Sequence, residues 1–133
     1  MKTHVEFRSD KFPPYEGEEV EINPDLWGKR LGEYLKEKLQ PEGVVVEELI
    51  PEDWGWCLTI KNEEFSMWIG CGHYQEYPNG YLCFVEPSKP IIRKLFKKID
   101  TTEKVGRVVK ALDKVLNSDS EITNLRWLDE SEK

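Results

Sequence analysis

The stretch WIGCGHYQEYPNGY, residues 68 to 81, holds the side chains best suited to chemistry. Cys71 and His73 are two apart, so on a strand their side chains project from the same face. A thiol beside an imidazole is the minimum for an activated nucleophile, or half of a zinc site. Gly70 and Gly72 leave backbone room beside the cysteine, and Glu76 is near enough in sequence to orient the histidine. Against this, a zinc site needs about four ligands, and His4, Cys57 and Cys83 are scattered. No helix start follows Cys71 to supply an oxyanion hole. The glycines also fit a bulge leading into a hairpin turn at Asn79-Gly80. No P-loop, GxGxxG, HExxH or GxSxG pattern occurs. No cofactor or metal is expected, and a structural strand end is the competing reading of the segment.

The elements that would position these residues can be read from period and punctuation. The 133 residues fit one domain with a core of its own, so 1–133 reads as a single unit. Residues 3–8 alternate like a short strand. Asn23, Pro24 and Asp25 make a helix start: a capping side chain, a proline at the first position and an acid in the first turn. Trp27, Leu31, Tyr34, Leu35 and Leu39 then form an apolar stripe at helical spacing. Gly28 and Gly32 sit one turn apart. Each costs about 1 kcal/mol against alanine in a helix, which close approach of another backbone would offset.

Four strands follow, at 44–50, 54–61, 65–72 and 81–86, joined by short turns and therefore antiparallel. Two helices come last. Pro90 opens one carrying Ile91, Ile92, Leu95, Phe96 and Ile99, and Thr101 or Thr102 caps another carrying Val105, Val108, Leu112 and Leu116. Residues 122–128 suit a final edge strand. The expected fold class is α+β: a four- to five-stranded antiparallel meander, one helix before it and two after, packed as a two- or three-layer sandwich.

Strand alternation puts Trp54 and Trp56 on one face with Leu58 and Ile60, and Gly55, Cys57 and Thr59 on the other. Met67 and Ile69 oppose Trp68 in the same way, so both faces of the sheet carry bulky apolar residues. Three helices suffice to cover both faces. If they all lie on one, the other keeps its aromatic side chains uncovered, and such a patch marks an interface. Glu52 and Asp53 are adjacent in an exposed turn. They lack the contrasting environments that acid–base pairs need, so turn formation and a partner contact are their expected roles. Trp54, Trp56, Trp68, Glu52 and Asp53 are the candidate partner-binding residues.

A net charge of −7 argues against a general nucleic-acid binder, whose phosphate contacts need clustered Lys and Arg. The charge is uneven: residues 93–114 hold eight basic residues against three acidic ones. That run reads as the solvated side of two helices or as a partner surface. No apolar run approaches the roughly 18 residues that span a bilayer, and the first residues lack a signal sequence's apolar region, so no membrane is expected and the compartment is read as cytoplasmic. Three cysteines make a poor disulfide framework and read as small buried hydrophobes.

Asn23-Pro24, Trp27-Gly28, the run EDWGW at 52–56 and Trp68-Ile-Gly-Cys-Gly72 resemble, across roughly residues 20 to 90, a group of small bacterial single-domain proteins with no assigned activity. The resemblance implies a bacterial origin and a free-standing cytosolic domain. Small acidic bacterial α+β domains include toxin immunity proteins, which set acidic surfaces and aromatic anchors against basic toxins. They also include type III secretion chaperones, which dimerise around an effector segment. The uninterrupted strands departs from the chaperone order. The expectation is a non-catalytic, immunity-type inhibitor or adaptor, monomeric or homodimeric, that binds a basic protein. A chaperone-like dimer and a small thiol enzyme around Cys71 and His73 are the alternatives.

Overall fold

The computed structural model describes residues 1–18, 26–74 and 76–133. Its elements in order are β1 (His4–Arg8), α1 (Lys29–Leu39), β2 (Val46–Glu52), β3 (Gly55–Ile60), β4 (Met67–His73), β5 (Gly80–Glu86), β6 (Ile91–Lys94), β7 (Lys97–Asp100), α2 (Thr102–Asn117) and β8 (Thr123–Trp127). Short 3-10 turns follow α1 and β8. β2 to β5 form the expected antiparallel meander. β1 then lies against β5, and β8 against β1, giving a six-stranded sheet of order β2-β3-β4-β5-β1-β8. The sheet is thus wider than a four- to five-stranded meander, because the first strand returns to extend it.

Among the described residues both helices in contact with the sheet lie on one face. α1 packs on β2, β3 and β4, while α2 packs on β5 and on α1. Leu31, Leu35 and Leu39 recur one turn apart and are fully buried, as are Val105, Leu112 and Leu116 of α2. They meet the inward row of the strands, including Val5, Leu58, Ile69 and Val85. Four fully buried aliphatic side chains of this kind each contribute roughly 1.5–3 kcal/mol, so this layer dominates stability. Gly43, at φ 84°, ends the α1 segment with its N–H on the Gln40 carbonyl, the left-handed stop a glycine permits.

Three expectations change. Residues 91–99 are not a helix: β6 and β7 form a separate two-stranded hairpin, with Ile92 opposite Ile99 and Lys94 opposite Lys97. The spacing of the apolar residues fits a helix, but Ile91, Ile92 and Ile99 are β-branched and suit paired strands better. Only one of the two expected helices after the sheet, α2, is therefore present. Next, α1 begins at Lys29, so Trp27 precedes it rather than belonging to its stripe. Asn23, Pro24 and Asp25 lie outside the described residues. Finally, β2 runs on through Pro51 and Glu52, which moves the turn to Asp53 and Trp54.

Candidate functional site

Cys71 and His73 do share a face of β4, as their spacing requires, but it is the face sealed by the helices. The Cys71 thiol donates to the Gly28 carbonyl at 3.9 Å. A side chain at Gly28 would meet the Cys71 carbonyl oxygen at 2.9 Å, so the glycine lets the chain entering α1 press on β4. Gly32 similarly admits the methyl groups of Leu49 and Leu58, which a Cβ would meet at 3.1 and 3.3 Å. This is the close approach that offsets two glycines near a helix start. Burial pushes the Cys71 thiol well above its ordinary pKa, with the neighbouring thiols and Glu18 adding to the rise. A nucleophilic cysteine needs the opposite shift.

His73 is held as a structural ring. Trp27 stacks flat on it at 3.8 Å between centroids and 6° between planes. Its Nε2 lies 2.9 Å from the Tyr77 carbonyl oxygen, and its backbone N–H donates to the Trp27 carbonyl. The Trp27 indole N–H is shared between the Phe12 carbonyl and the Tyr81 hydroxyl, both at 3.1 Å. The Tyr81 hydroxyl itself donates to the Phe12 carbonyl. Glu76 is exposed. Among the described residues no group of three or more His, Cys, Asp or Glu side chains is placed to hold a metal ion.

One buried charge escaped the reading of the sequence. Glu18 is buried, and its carboxylate accepts four hydrogen bonds: from the N–H groups of Tyr15, Gly28 and Lys29 and from the Trp56 indole. It therefore satisfies the free donors at the start of α1 and complements the positive end of the helix dipole. The only local hint is its spacing from Tyr15, three residues back. The long-range capping has no sequence signature.

Trp56 belongs to this same side. It is 5% exposed, donates to Glu18 at 3.0 Å and lies beneath the Lys29 ammonium. It is a core residue, which corrects its candidacy for partner binding. Trp54 goes the other way. Gly55 has φ 150°, and a Cβ there would lie 2.5 Å from the Cys71 carbonyl oxygen. The chain bends at this glycine, so Trp54 leaves the strand alternation and swings over the opposite face. There it packs on Phe84 at 5.2 Å and Trp68 at 5.8 Å, with Trp68 on Phe84 at 5.6 Å.

That opposite face has a regular layout. Ile50, Cys57, Gly70, Phe84 and His4 stand side by side across β2, β3, β4, β5 and β1. Glu48, Thr59, Trp68 and Glu86 form the next row. The Phe84 ring lies directly over Gly70, where a Cβ would be 2.3 Å from its Cζ. His4 stacks on the other side of Phe84 at 5.2 Å. Burial, and then the Lys133 ammonium, lower the His4 pKa against the opposing pull of Glu86 and Glu130. Trp54 is 37% exposed, and Trp68 and Phe84 are half-buried. On β2, Glu48 is exposed across Thr59 from Trp68 and Glu52 is exposed opposite Gly55; burial, and then the Glu52 charge, raise the Cys57 thiol pKa.

No family model matches the chain, and searches of curated proteins and of solved structures returned no match. No described helix is long and apolar enough to cross a membrane.

Proposed function

We propose that the chain is a non-catalytic protein-binding domain that docks a basic partner on the face of its sheet opposite α1 and α2. An immunity-type inhibitor or adaptor of a bacterial cytosol is the form that suits its size and acidity. The observation that carries the reading is the cluster of Trp54, Trp68 and Phe84 on the face opposite both helices, flanked by Glu48, Glu52 and Glu86. Half-exposed tryptophans beside carboxylates supply what interface hot spots need: large rigid apolar area with a polar rim. The burial and raised pKa of Cys71 weigh against the thiol-enzyme alternative.

The test is capture of protein partners from the native cell extract by the tagged chain, beside its Trp54→Ala and Trp68→Ala variants. The expected result is one dominant basic protein, released by raised salt. Each variant should weaken its binding by at least about 30-fold, the equivalent of about 2 kcal/mol at a hot spot. A partner retained equally by both variants would place binding elsewhere. Rapid alkylation of Cys71 by iodoacetamide in the folded chain, faster than a free thiol, would instead revive the enzyme.

A further inference from the structure

Among the described residues the most exposed apolar side chains are at the tip of the β6–β7 hairpin. Leu95 is 91% and Phe96 103% exposed, and they are the two loop residues between the paired Lys94 and Lys97. Leu95 holds φ 57°, a conformation that glycine or asparagine adopts at far lower cost. A large apolar side chain thus stands where the turn itself would favour glycine. The ribbon also pairs Arg93 with Lys98 and Lys94 with Lys97 directly across its strands. Like charges in that position repel. Among the described residues no carboxylate pairs with Arg93, Lys97 or Lys98, and Lys94 reaches only the Glu64 carbonyl, at 3.5 Å. The one acid of the hairpin, Asp100, caps the first N–H of α2. Residues 91–100 therefore present an apolar tip in a cationic collar, and an anionic partner with an apolar centre relieves both features at once.

The chain carries such a surface. Its net charge is −7 although the hairpin is locally +3, so the acids lie elsewhere, and Glu48, Glu52 and Glu86 border the Trp54–Trp68–Phe84 cluster. Hairpin against hairpin would set cation on cation and is excluded on charge. We propose that the β6–β7 hairpin of one copy docks on the sheet face of a second copy that lies opposite its α1 and α2. Leu95 and Phe96 then pack on Trp54 and Trp68, and the collar lies among Glu48, Glu52 and Glu86. The inference rests on that face being a docking surface. It adds that the chain carries its own occupant, so self-association and binding of a basic partner exclude each other. One hairpin covers less than the roughly 1,200 Å² of a standard interface, so the dissociation constant falls at about tens to hundreds of micromolar.

Sedimentation of the chain across that concentration range, at low and high salt, tests it. The expected result is concentration-dependent assembly that high salt weakens. Leu95→Gly should weaken it at least about 10-fold while leaving the melting temperature unchanged or higher, since glycine relieves the positive φ; a folding defect cannot mimic that pair of results. Lys94→Glu with Lys97→Glu, and Glu48→Lys with Glu52→Lys, should each be monomeric alone and associate when mixed. A wild type that stays monomeric throughout overturns the inference, and so does assembly indifferent to Leu95→Gly or charge-swapped chains that fail to pair. A monomeric chain that co-sediments with phosphatidylserine vesicles through Phe96 assigns the tip to a membrane and also overturns it. Assembly that depends on the tip but ignores the Glu48/Glu52 reversal refutes this contact alone. The partner reading of the face then stands or falls on the Trp54→Ala and Trp68→Ala capture.

Discussion

Trp54 and Trp56 are two residues apart, yet they lie on opposite faces of one sheet and do different work. Trp56 is sealed under α1, with its indole satisfied by a buried carboxylate. Trp54 sits over Phe84 with more than a third of its surface in water. The side that bears the helices is continuous, dry and fully hydrogen-bonded: no buried side-chain N or O atom among the described residues lacks a partner. The other side is one aromatic layer deep. Residue type therefore says little about role here. What separates core from candidate interface is the bend at Gly55, which sends the tryptophans on either side of it to different faces.

That contrast can be broken by substitution. Trp56→Ala should cost about 3–5 kcal/mol of folding stability, because it opens a cavity and strips Glu18 of a donor. Thermal melting should show a fall of more than about 10 °C. Gly55→Ala should follow at about 2–3 kcal/mol, since its Cβ meets backbone at 2.5 Å and the positive φ disfavours any L side chain. Trp54 fluorescence should shift as that residue loses its seat on Phe84.

Asp119 sharpens the comparison from the helix side. It accepts from the Lys11 ammonium at 2.5 Å and from the Tyr34 hydroxyl at 2.7 Å, tying the N-terminal segment and α1 to the loop after α2. The Lys11 hydrogen bond, the Glu121 backbone N–H and the Tyr34 hydroxyl hold its pKa down at about 2. Its folded pKa lies below the unfolded value of about 3.9, so its contribution is full above that value. It is lost as the pH falls from about 4 to 2. Asp119→Asn should cost about 1–2 kcal/mol at neutral pH and remove this part of the acid sensitivity, as measured by denaturant midpoints across pH 2–6. The smallest effect is expected for Trp54→Ala, about 1 kcal/mol of stability by the same melt, because more than a third of that residue is already in water and it leaves no enclosed cavity when removed. A loss as large as that of Trp56→Ala would make both faces core.

Much of the scaffold was legible in the sequence because it rests on local patterns. Alternation marked β1 and β3 to β5, Asn79-Gly80 marked their hairpin, and the leucine spacing of α1 and the valine spacing of α2 marked both buried stripes. The misread segment is instructive. Residues 91–99 match a helical period, and their turn, Leu95-Phe96, contains no glycine, asparagine or proline to announce it. The placement of Trp54 depended on a turn that ends one residue later than punctuation suggested, which puts Trp54 in the turn and outside the alternation of β3. Cys71 and His73 were correctly placed side by side. That α1 and Trp27 would close over them is tertiary information, as is the reach of Glu18 to a helix start ten residues away.

The place of β1 in the sheet has a consequence for how the chain is made. Val5 pairs with Cys83 on one side and with Trp127 on the other, so β1 is completed only by β8, which is made long after it. Such long-range pairing slows folding, and until residues 123–127 emerge the outer edge of β1 presents open backbone groups. A chain cut before Thr123 should keep the α1 and β2–β5 layer yet aggregate through that edge during synthesis. A pulse-labelled nascent chain would then become resistant to protease only after β8 has left the ribosome.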